Sequence, residues 1–258
     1  MPGSLVLSIG TLYGFLLVLT RVGGALVFVP LPGIKGAPEP MKVALTLGFT
    51  LALSARWPQV NALNVTPGVL LGWAASESAL GIAIGVSVAI VLEAFSLAAQ
   101  ILGLQAGYAY ASTIDPNTQA DSGILLVMSE LIAGLLFFAL GLDREILRLF
   151  SLSLDKVPSG TYVLGPASAQ SLIHLSSSLF SVGARLALPV VALLVMLDVA
   201  LALLGRLNAQ LQLISLAFPV KMLITLMVLS WMATLFPRIM LEFSGHAWMT
   251  ARELIGKQ

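Results

Sequence analysis

The chain has 258 residues, of which 58% are hydrophobic and only 10% charged. Soluble domains carry about 45–50% apolar and roughly 25% charged residues. With a mean hydropathy of +1.00 there are too few charges to cover a water-facing surface, so lipid or other protein must cover it. A net charge of +1 leaves no basic stripe for nucleic acid. The absence of Cys removes disulfides, thiol catalysis and Cys-based metal sites.

Six apolar zones follow along the chain. Leu5–Val29 has no Lys or Arg before it, unlike a signal peptide, and reads as a retained segment. It carries Arg21 and the pair Gly23-Gly24. A Pro/Gly loop from Pro30 to Pro40 cannot continue a helix. Met41–Leu53 follows; 13 helical residues cover about 20 Å, short of a ~30 Å hydrocarbon core. Arg56-Trp-Pro58 closes it. Val69–Leu104 is too long for a simple span and needs tilt, a kink or an extension beyond the bilayer. Gly107–Asp121 is the most polar internal stretch. Gly123–Leu142 is the fourth zone. Asp143–Pro166 is expected to begin as a surface helix over Arg144–Leu152 and to turn at Pro158-Ser-Gly160. Leu172–Leu204 carries Arg185 and Pro189, and Ile214–Phe236 carries Pro219 and Lys221; each proline marks a kink or a helix break. The expected fold is an all-α polytopic membrane protein, with about six apolar helical segments arranged as kinked hairpins in one domain over 1–258. Lys and Arg are spread too thinly for the positive-inside rule to orient it.

Ionisable residues stand inside nearly every apolar zone: Arg21, Lys42, Glu77, Glu93, Glu130, Arg185, Asp198 and Lys221. Each costs at least about 2.5–3.5 kcal/mol at a bilayer centre unless it faces protein or water. Their scatter favours interhelical pairing and assembly over one proton path. On a helical net, Glu93, Ser96, Gln100, Gly103 and Gly107 form a polar, small stripe. Glu77 and Glu93 are 16 residues apart, which at 100° per residue puts them on nearly opposite faces. A helix with acids on both faces is expected to be surrounded by protein. Glycine pairs at i, i+4 (Gly10/Gly14, Gly68/Gly72, Gly81/Gly85, Gly103/Gly107) are candidates for close helix approach. Asp198 has two cations in reach, Arg206 on its own helix and Lys221 across a hairpin. No HExxH, GxSxG, P-loop or GxGxxG is present, and His174 and His246 have no ligand-spaced neighbours. The reading is a non-enzyme with no catalytic, cofactor or metal residues.

Three stretches carry a resemblance. They are Gly103-Leu-Gln-Ala-Gly107-Tyr-Ala-Tyr-Ala-Ser-Thr-Ile-Asp115-Pro116; Leu136 to Gly141 continuing to Pro158-Ser-Gly160; and Ala187-Leu-Pro189 through Asp198 and Arg206 to Phe218-Pro219-Val-Lys221. Together they are similar to the FliR/SctT family of bacterial type III export gates. Two departures stand out: Arg206-Leu-Asn-Ala209-Gln210 where the family has Arg-x-x-Pro-Gln, and Gly141-Leu142-Asp143 where a Gly-His pair is usual.

The resemblance implies a pore-forming structural subunit of the flagellar export gate, in the bacterial inner membrane at the basal body, with part of the assembly raised toward the periplasm. Implied partners are FliP, FliQ, FlhB and FlhA homologues, membrane lipid and unfolded substrates in transit. The chain would join a FliP-like N-terminal part to a FliQ-like hairpin over roughly 172–240. Gly103, Gly107, Tyr108, Tyr110, Ile114, Asp115 and Pro116 would form the central plug. Arg21, Glu77, Glu93, Glu130, Arg185, Asp198, Arg206 and Lys221 would serve assembly. The injectisome sibling and, from a different class, a secondary transporter using Glu93, Asp198 and Lys221 are the alternatives.

Overall fold

The structure is a computed structural model that describes residues 8–29, 39–60, 65–108, 123–207 and 213–256. Eight α-helices account for most of them: α1 (Ile9–Phe28), α2 (Glu39–Ala52), α3 (Pro67–Ala106), α4 (Ile124–Ala139), α5 (Leu142–Lys156), α6 (Pro166–Leu207), α7 (Leu213–Met232) and α8 (Phe236–Gly256). The described residues hold no strand, so the all-α membrane reading is borne out. In each of the six apolar zones most of the described residues fall on a helix, and the expected surface helix over Arg144–Leu152 lies within α5. Three helices (α1, α3 and α6) are long and apolar enough to cross a bilayer, and up to five spans result if each bent pair, α4 with α5 and α7 with α8, counts as one.

The helix ends follow local chemistry. The Ser8 hydroxyl accepts from Thr11 N–H at 3.1 Å and caps α1. Val29 is extended ahead of Pro30, as a residue preceding proline prefers, and α1 stops there. α3 and α6 both open on a proline, which fits the first turn because its missing N–H would be unpaired anyway. Gly141 takes φ 70° in the turn between α4 and α5, a conformation that favours glycine. Pro189 and Pro219 break neither α6 nor α7, which run through them without interruption. A proline removes one backbone bond, and the buried Val190 and Leu194 one turn on keep α6 packed.

The chain forms two compact units. The first holds residues 1–90, 141–176 and 244–258. Its core includes Leu17, Val22, Leu80, Ile84, Leu149 and Phe150, and here one of the four glycine pairs, Gly81/Gly85, makes the close helix approach its spacing suggests. A Cβ on Gly81 or Gly85 would strike the α1 backbone at Arg21 and Ala25, and one on Gly24 would lie 2.7 Å from Ser78 O. The α1 and α3 backbones therefore touch. Gly10 and Gly14 instead meet the backbone of Val60 and Pro58, which lie outside any helix, whereas Gly68, Gly72 and Gly103 face open space.

The second unit holds residues 91–140 and 177–243. Phe95, Leu102, Phe137, Leu186 and Leu194 are buried in it. An apolar cavity of about 330 Å³ remains beside Phe95, Ala98, Leu125 and Leu226, roughly twice the ~150 Å³ void that admits benzene. Burial is uneven along the chain. In α3, 72% of the apolar stretch is covered by the chain itself, against 22% in α6. The sequence reading of α3 as a protein-surrounded helix agrees with this.

Candidate functional site

Two clusters of ionisable groups are built from the residues singled out above. The first is closed and buried. Arg21 on α1 and Glu77 on α3 form an ion pair through Nε and Oε2, and each side chain is 1% exposed. Arg21 Nη1 donates to Ser153 Oγ at 3.1 Å, and Nη2 to Val157 O at 3.2 Å. Glu77 Oε1 accepts from Gly160 N–H at 3.0 Å. The pair therefore joins α1, α3, α5 and the turn after α5. That turn is the expected Pro158-Ser-Gly160, with Gly160 at φ 79° against the Trp73 ring. Ser76 on α3 adds a bond to Tyr162 O at 2.8 Å. Both charged groups have their partners, which a buried charge requires. The geometry suits a fixed strut, because the polar atoms of both side chains are spent on holding these elements together.

The second cluster lies where α3 ends. Tyr108 N–H bonds to Gly103 O at 3.0 Å and Gly107 N–H to Leu104 O at 3.3 Å, with Gly107 at φ 86°. This is the Schellman pattern, in which a left-handed glycine closes the helix. A Cβ on Gly107 would lie 2.6 Å from the Phe218 ring of α7, so two constraints demand glycine there. The Tyr108 hydroxyl donates to Met222 O at 3.2 Å. Just before the turn, Gln105 Nε2 donates to Asp198 Oδ2 at 3.3 Å, while Lys221 Nζ lies 2.5 Å from Asp198 Oδ1. The end of α3 is thus fastened to α6 and α7 by two hydrogen bonds, and an ion pair joins those two helices beside it.

Of the expected plug residues, Gly103, Gly107 and Tyr108 form this turn; Tyr110, Ile114, Asp115 and Pro116 lie outside the described residues. Of the two cations in reach of Asp198, Lys221 is the one it meets. Glu93 and Glu130 are half-buried, and both have partners. Arg185 and Arg206 are exposed on α6 and form no ion pair with a described residue. Lys42 pairs with Glu39 within its own helix at 2.9 Å.

Sequence reasoning names Arg21 and Glu77 without pairing them, and it does not name Ser153 or Gln105 as a partner. Ser153 does leave a signal: it continues the buried face of α5 formed by Leu142, Ile146, Leu149 and Phe150, and a hydroxyl on such a face implies a polar partner.

The model of the family described as bacterial export proteins, family 1, matches residues 12–247 of this chain. The chain belongs to that family. The resemblance read from the sequence is thereby borne out. Similar proteins include flagellar biosynthetic protein FliR of Escherichia coli K12, 28% identical over 221 residues, covering 86% of this chain and 83% of that one. FliR of Pectobacterium carotovorum is 26% identical, covering 83% and 80%. FliR of Bacillus subtilis is 24% identical over 236 residues, covering 89% and 90%. The second cluster of this export-family chain therefore sits in a stretch that the family model spans whole.

Proposed function

We propose that this chain is a structural, pore-forming subunit of the flagellar type III protein-export gate in the bacterial inner membrane. It does no bond chemistry of its own. What carries the reading is the family match over residues 12–247, joined by relatives named for flagellar biosynthesis. Away from the face between Arg185 and Arg206, α6 also leaves Leu193 and Leu204 uncovered, which supports a subunit that packs against partners. Homologues of FliP and FliQ fill that role, with those of FlhB and FlhA alongside.

Within the gate, the segment that begins at Gly107-Tyr108 and runs to Asp115-Pro116 is the plug that unfolded substrates displace. The anchored turn supports this role, since it gives such a segment a fixed foot: Gly107 against Phe218 and Tyr108 on Met222 O. Asp198 and Glu77 are each committed to a cation, which favours a structural subunit over a transporter with free intramembrane acids. Affinity purification of the tagged chain from a flagellated cell tests the reading. It predicts that homologues of FliP and FliQ copurify in a stable complex. A monodisperse monomer that moves a small solute in liposomes by itself would overturn it.

A further inference from the structure

One face of α6 carries information that the two clusters do not use. At 100° per residue, Arg185, Leu188, Ala192, Met196, Val199, Leu203 and Arg206 fall within an arc of about 80°. All seven are exposed. Between the two arginines the face is wholly apolar, and on the other side of Arg185 it turns polar, at Ser181 and Ser178. The arginines are 21 residues apart, or about 31 Å along the axis at ~1.5 Å per residue. That matches the ~30 Å hydrocarbon thickness of a bilayer.

Independent observations set the same level. Asp198 lies nine residues before Leu207, and Lys221 eight residues after Leu213, so their ion pair makes α6 and α7 antiparallel. Counted across that pair, Trp231, ten residues past Lys221, stands level with Leu188, next to Arg185. Trp231 is 77% exposed, and Trp concentrates where hydrocarbon meets headgroups. α7 ends one residue later, at Met232. The Asp198–Lys221 pair falls some 4 Å from the midpoint of the Arg185–Arg206 interval, where lone charges would be costly. On α6 the charge inside the interval is paired, and the two at its edges are exposed and form no ion pair with a described residue.

We infer that this face of α6 is the lipid-facing surface of the second unit, with Arg185 and Arg206 reaching lipid phosphates of opposite leaflets. Arginine suits this position because its stem lies along apolar surface while the planar guanidinium donates to phosphate.

The chain has no Cys, so spin labels can be placed singly. The full-length protein, with whatever copurifies, is reconstituted into vesicles of phosphatidylethanolamine and phosphatidylglycerol. Arg185→Cys, Leu188→Cys, Met196→Cys, Leu203→Cys and Arg206→Cys are each labelled with a nitroxide. Collision with oxygen, which concentrates in hydrocarbon, is compared with collision with a water-soluble nickel chelate. The oxygen-to-nickel ratio should peak severalfold at Met196 and fall toward both arginine positions. A Met196 label shielded from both agents would mean that a protein partner covers the face, and one open to nickel would mean that water does. Either overturns the inference. If Met196→Cys does not accumulate, Ala192→Cys and Val199→Cys give the same mid-face reading.

Discussion

Glu77→Ala removes one half of the buried pair and leaves the Arg21 guanidinium, 1% exposed, without a counter-charge. It also strips Gly160 N–H of its acceptor. Removing one partner of a buried ion pair costs about 3–5 kcal/mol. Total stability is on the order of 5–15 kcal/mol, so the loss would raise the unfolded fraction by roughly a hundredfold or more. The paired replacement Arg21→Met with Glu77→Leu removes both charges and keeps most of the volume, and such swaps are often neutral or stabilising. The two variants therefore separate a strut from a charge with a separate function. Thermal melting in mild detergent and the amount of full-length protein in membranes are the readouts. The single variant should melt well below the wild type, and the double should recover most of the loss. If the double melts no higher than the single, or the single matches the wild type, the strut account is wrong.

Gly81→Ala should destabilise by roughly 1–3 kcal/mol through overpacking, because its new methyl meets the Arg21 carbonyl. Gly72→Ala, on the same helix but facing open space, should instead stabilise by about 0.5–1 kcal/mol; equal melting of the two would deny the close α1–α3 contact. Tyr162→Phe should be neutral or stabilising, because the buried Tyr162 hydroxyl has no hydrogen-bond partner among the described residues. Burial raises the Tyr162 pKa, so its contribution is whole below the ordinary phenol value of about 10 and is lost as pH climbs past it. Melting of the wild type should fall there, and melting of Tyr162→Phe should fall less.

Much of the fold was legible because lipid-compatible helices are written as long apolar runs, and in each of the six runs most of the described residues lie on a helix. Turn chemistry was legible for a local reason. Pro158-Ser-Gly160 and Gly107 carry their conformations in a few adjacent residues, and both glycines take positive φ. Pairing was less accessible. Arg21 and Glu77 are 56 residues apart, and spacing on one helix gives no account of which residue on another helix it meets. Asp198 and Lys221 were within reach because a short connection between two helices restricts the choice. α8 does not stand out as an apolar zone because Arg238, Glu242, His246, Arg252 and Glu253 break its apolar run, while Met240, Phe243, Ala247, Ala251 and Leu254 make a buried face at helical spacing. The continuity of α6 through Pro189 is decided by packing around the proline and not by the proline itself.

The gate subunit proposed above would close its pore with the segment after Tyr108. Conductance across membranes holding the purified complex tests it most directly, wild type against a deletion of Ala109–Ile114 that leaves the Gly107-Tyr108 anchor in place. The account predicts that both complexes form, that the wild type is tight to small ions, and that the deletion leaks. Two intact complexes that are equally tight would contradict it.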